Sequence, residues 1–159
     1  MLYASLKAVH LLAVIAWLGG MFFVVMCLRP AAHEVLEAAP RVRLMHATLR
    51  RFLRIVGLAV VAILVSGAAM IALAWRDRAG AGLAFNMPLD WYAMVAIFVV
   101  MLAIYLHVRL PLFGRVGAAM AAERWPEAGA ALVAIRWEVV INLVLGVFVV
   151  VLVRLGAAA

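Results

Sequence analysis

Few side chains in this sequence have chemistry to offer, and most of them fall inside long apolar runs. His10 is the first. It lies about two turns into the opening apolar run, roughly 9 Å along a helix rising 1.5 Å per residue. If four such runs alternate in direction, the same level is reached near Met70 on the second and Met94 on the third. An imidazole with two thioethers is a soft donor set. It suits Cu(I), and a His/Met pair suits a haem iron. The metal candidates are therefore His10, Met70 and Met94.

A second group gathers at the opposite end. His46 leads into the second run and His107 closes the third. Two imidazoles from different helices of a bundle are the donor pattern of a bis-His haem. The cofactor-binding candidates are thus His10, Met94, His107 and His46. The competing reading leaves His46 and His107 at the membrane surface, solvated or paired with Glu138. Glu138 and Asn142 are four apart and share a helix face. A carboxylate at that depth needs a partner, and Arg54 or Arg136 is the expected one. His33 falls in a connection and is expected to be exposed. The single cysteine, Cys27, excludes an internal disulfide and a cysteine-based zinc site. The sequence contains no GxSxG, HExxH, Walker loop or CxxC.

The elements that carry these residues follow from composition. The chain has 159 residues, 71% of them hydrophobic and 13% charged, against about 25% charged in a soluble domain. One water-soluble core cannot hide that much apolar surface. Four apolar stretches stand out, at about 5–28, 53–75, 90–110 and 132–154. Each is close to the roughly 20 residues that cross a bilayer core, and in lipid each must be a helix. The expected fold is an all-α membrane protein, a four-transmembrane-helix up-down bundle forming one domain over 1–159. Arg29-Pro30 is expected to close the first helix and Pro88-Leu89-Asp90 to open the third. The connection around Pro40 is expected to extend the flanking helices beyond the membrane.

A net charge of +7 would suit nucleic acid, but the charges sit in short connections and serve as topology signals, so no nucleic acid is expected. The first and third connections hold ten Arg; the other side holds Lys7 and three Arg. The positive-inside rule puts both termini outside the cytoplasm. In a bacterium this means a multi-pass protein of the cytoplasmic (inner) membrane with periplasmic termini. The lipid bilayer is then the first partner. Small residues such as Gly114 and Gly117 would allow close packing across a homodimer.

The run from His10 through Trp17, Gly19 and Gly20 to Phe23, followed by Leu28-Arg29-Pro30, resembles the first helix of the CopD-like integral membrane protein superfamily. Arg51-Phe52, Ser66-Gly67 and Asn142-x-x-x-Gly146 extend the resemblance. It implies a four-helix core. The superfamily includes the larger copper-resistance CopD proteins and the HemJ-type protoporphyrinogen oxidases, which are similar in size to this chain. Members of the latter branch bind haem b, and their histidine early in helix one matches His10. The lysine they use in helix three has no counterpart here; Met94 or Val95 stands near the place. The resemblance implies a haem b redox or electron-transfer protein, possessing a quinone or a redox protein as electron partner and a second axial ligand left open between Met94, another methionine and a histidine. The alternatives are a copper-handling protein with an outer His/Met site and a non-catalytic membrane scaffold.

Overall fold

The computed structural model describes residues 1–156. It contains four long helices, α1 (Leu2–Val35), α2 (Ala38–Gly80), α3 (Leu89–Ala121) and α4 (Trp125–Gly156). All four are long and apolar enough to cross a membrane. They alternate in direction as an up-down bundle, and the protein is a multi-pass membrane protein. Its outer surface agrees: Ile15, Leu58, Val65 and Val144 are all more than 60% exposed. In water such a surface would drive aggregation; in lipid it is solvated.

Each helix buries one stripe. On α1 it is Ala13, Trp17, Met21 and Val24; on α3 it is Met101, Val108, Leu112 and Val116. On α2 it runs from Met45 through Leu49, Leu53, Val56, Val60 and Ile63 to Ser66, and on α4 it includes Ile135, Val139 and Asn142. Spacings of three and four keep each stripe on one face. α1 packs most extensively on α2, and α3 on α4. The two pairs are joined at the waist by Trp17, whose ring meets Phe98 and Tyr105 edge-on, with centroids 6.3 and 6.4 Å away.

Arg29-Pro30 does not end the first helix. The chain widens into a π-helical turn over Val24–Leu28 and continues helically through Pro30 to Val35. Proline lacks an N–H and its ring crowds the carbonyl four residues back. The wider turn relieves that crowding: the Arg29 N–H bonds the Val24 carbonyl, five residues back. α3 repeats the device over Val108–Leu112, around Pro111, where the Phe113 N–H bonds the Val108 carbonyl. The start of α3 is as expected, capped by Pro88 with Asp90 in its first turn. The first connection shrinks to the break between Val35 and Ala38, with Pro40 in the first turn of α2. The third shrinks to a tight turn at 122–124, where Glu123 takes a left-handed φ of 56°.

Candidate functional site

His10 lies on the face of α1 that meets α2. Its Nδ1 is 3.0 Å from the Ser66 hydroxyl oxygen, and its ring edge rests on Gly67, where a β-carbon would stand 3.4 Å from Cε1. The direction of the bond follows from the serine. Ser66 is buried and donates its one proton within its own helix, to the Ala62 carbonyl, with the Ile63 carbonyl 3.3 Å away. Its oxygen therefore accepts, and His10 donates from Nδ1–H. In the neutral ring this arrangement leaves the lone pair on Nε2. A second hydrogen-bonded partner that orients the ring in this way is the usual companion of a metal-ligating histidine.

Ser66 is the residue that sequence reasoning left unconnected. Counting helix levels from His10 led to Met70, one turn away on the same stripe of α2. A hydroxyl next to a glycine, opposite an intramembrane histidine, was the available signal. Met70 is half-buried on α2, four residues beyond Ser66. Met94 is half-buried on α3. The shown neighbours of His10, Ser66 and Gly67, are on α2.

The two histidines at the opposite end of the bundle are engaged separately. His46 lies flat on Phe113, with ring centroids 4.7 Å apart and planes at 4°, and its Nε2 faces Gly117. His107 bonds Glu138, Nδ1 to Oε1, at 2.7 Å. Phe113 is six residues beyond His107 on α3, so His46 docks about 9 Å further along that helix. The structure does not bring these two imidazoles to one level. The partner of Glu138 is His107, not Arg54 or Arg136. Arg54 turns back on the Arg50 carbonyl of its own helix, and Arg136 lies over the Trp137 ring at 5.3 Å. Geometry explains the difference: His107 on α3 faces Glu138 across the closest helix pair of that half of the bundle, while Arg136 points elsewhere on its own helix.

The remaining polar core is structural in form. Asn142, 3% exposed, donates to the Met101 carbonyl at 3.3 Å and ties α4 to α3. Among the described residues no group of three or more His, Cys, Asp and Glu side chains could hold a metal.

The motif residues meet one another. His10 meets Ser66-Gly67; Gly20 sits under the Phe52 ring; Gly146 faces Leu18 and Met101. A four-helix membrane bundle with an oriented intramembrane imidazole is thus the class that fold and site define. A family model described as "CopD: Copper resistance protein D" matches residues 46–155. The chain belongs to that family. The match covers α2 from His46 onward, together with α3 and α4, and includes Ser66 and Gly67; α1 with His10 lies outside it. No curated protein and no solved structure matches the chain.

Proposed function

We propose that this protein handles copper, with Cu(I) as cargo bound at the His10 end of the bundle. The observation that carries the reading is the His10–Ser66 hydrogen bond. With Nδ1–H donated to Ser66, a neutral ring carries its lone pair on Nε2. The family's description as copper resistance supports copper as the ion. Imidazole and thioether are ligands that Cu(I) accepts at low coordination number. In this reading His10 is the nitrogen ligand and Met70 the first thioether. Met94 approaches from α3 at the level reached by helix counting. Ten basic residues around the first and third connections support a reading in which the His10 end faces the periplasm of a bacterial inner membrane.

The haem reading places an iron on the same nitrogen, and the bond to Ser66 would serve it equally. A haem b protein would then pass electrons to or from a quinone or a redox protein. One experiment separates the two. The protein is purified in mild detergent, its visible spectrum is recorded oxidised and reduced, and Cu(I) is titrated against a chromophoric chelator. A colourless protein that takes up Cu(I), and loses that uptake in His10→Ala, supports the copper reading. A Soret band with sharp reduced α and β bands, lost in His10→Ala, replaces it with haem. Uptake unchanged in His10→Ala sinks both.

A further inference from the structure

At the end of the bundle opposite His10, three helices each turn one stripe toward a common cavity of about 360 Å³. α1 contributes Val25, Arg29 and His33, spaced four apart. α2 contributes Arg41, Met45 and Leu49, and α4 contributes Gly129, Val133 and Arg136. The inner wall is apolar. The polar groups are three arginines and a histidine, and the lining contains no carboxylate.

That charge is not neutralised by the protein. Among the described residues the ion pairs are Arg124 with Glu127 and His107 with Glu138, neither of which involves a cavity arginine. Glu34, Glu37, Glu127 and Glu138 each stand next in sequence to a lining residue but lie outside the lining; the first three are exposed, and Glu138 is half-buried and bonded to His107. The charges of Arg41 and Arg136 both bear on Arg29. Arg136 has its Nε buried without a hydrogen-bond partner, and Arg41 makes only a long bond, 3.4 Å, to the Leu36 carbonyl. All three arginines are half-buried, whereas Arg50, Arg51 and Arg54 on the same end of α2 are exposed. The exposed trio is what a topology signal requires. The half-buried trio is not: converging like charges out of bulk water are costly without a counter-anion.

We propose that this cavity seats one anionic phospholipid of the adjoining leaflet. Its phosphate lies among Arg29, Arg41 and Arg136, and a chain follows the wall of Met45, Leu49 and Val139. Guanidinium groups match phosphate oxygens in bidentate geometry. Basic pockets between transmembrane helices on the cytoplasmic side are suited to anionic lipid headgroups. Val133, part of the wall and 43% exposed, leaves the cavity open between helices toward the bilayer. The inference is independent of whether the opposite end takes copper or haem.

The test is a melting assay on delipidated full-length protein in neutral detergent. Phosphatidylglycerol, phosphatidylcholine and inorganic phosphate are titrated separately. Phosphatidylglycerol is expected to raise Tm saturably, and the other two to leave it unchanged. Arg41→Gln, at the half-exposed rim, is expected to weaken that response about fivefold, and Arg29→Gln or Arg136→Gln at least as much. The Arg50→Gln/Arg51→Gln double variant removes more charge outside the cavity and is expected to respond as wild type. Should Arg136→Gln fail to fold, Arg41→Gln carries the test alone. Three results would overturn the proposal: no response to phosphatidylglycerol, an equal response in Arg41→Gln, or inorganic phosphate acting as well as the lipid. The last would make the cavity a free-anion site.

Discussion

The two ends of the bundle treat costly polar groups in opposite ways. At one end a single half-buried imidazole packs against α2, with Nδ1 bonded to Ser66. At the other end three arginines share a cavity without a carboxylate. A neutral ring needs only one hydrogen bond to be tolerated in an apolar setting, whereas a converging set of cations needs an anion. The first end is therefore open at one atom, as a ligand site is. The second is open as a whole, as an anion seat is. The difference is chemical and not one of depth or packing, since the same helices α1 and α2 build both.

The sharpest way to break this comparison is His10→Ala. Loss of the proposed nitrogen ligand is expected to weaken metal binding by more than about a hundredfold, beyond what loss of an orienting partner does. The lipid response at the arginine end should stay as in wild type. Chelator competition and the melting assay, run on one preparation, check both halves. A simultaneous fall in the lipid response would show that the ends are coupled and not separate.

Gly20→Ala strikes between the ends. A β-carbon there would overlap the Phe52 ring, which is rigid. Destabilisation of about 1–3 kcal/mol is expected from such overpacking, read as a lower Tm in detergent. Gly146→Ala should cost less. The atoms a β-carbon would meet there are the mobile tips of Leu18 and Met101. An equal loss in the two variants would mean that the neighbours of Gly146 are as fixed as an aromatic ring.

Ser66→Ala acts on the His10 end alone. Without the acceptor the His10 ring loses its fixed tautomer and orientation, and metal affinity is expected to fall about tenfold. Ser66→Thr, which keeps the oxygen, should retain most of it. A Ser66→Ala protein that binds metal as tightly as wild type would separate the hydrogen bond from the site.

The architecture was legible because the bilayer constrains it: four apolar runs of spanning length leave few alternatives. Helix ends were less legible. Arg29-Pro30 reads as a stop by the rules for soluble helices, yet a π-turn at Val24–Leu28 absorbs the proline and carries Arg29 and His33 on as helix. A one-residue change of register leaves no trace in composition. His10 was visible as an intramembrane polar residue, but its partner depended on how far α1 slides against α2, which helix counting resolves only to about a turn. The arginine cavity was hidden for a related reason. Arg29, Arg41 and Arg136 stand on three different helices, and in the sequence they look like the exposed Arg50, Arg51 and Arg54.

The smallest expected effect belongs to the waist. The Tyr105 hydroxyl donates to the Leu53 carbonyl of α2 at 3.0 Å, while its ring stands edge-on to Trp17. That carbonyl is within reach because Gly57, one turn on, has no side chain; a β-carbon there would stand 2.9 Å from the hydroxyl oxygen. Tyr105→Phe removes one interhelical hydrogen bond and leaves the aromatic packing. In a membrane bundle that is worth about 0.6 kcal/mol, a small fall in Tm. Gly57→Ala should cost more, since the added methyl displaces the hydroxyl from its acceptor. Neither change is expected to alter metal binding at His10 or the lipid response at Arg41. A change at either end in Tyr105→Phe, at near-normal Tm, would show that the waist transmits between the two ends and that their independence holds only while Tyr105 is tied to α2.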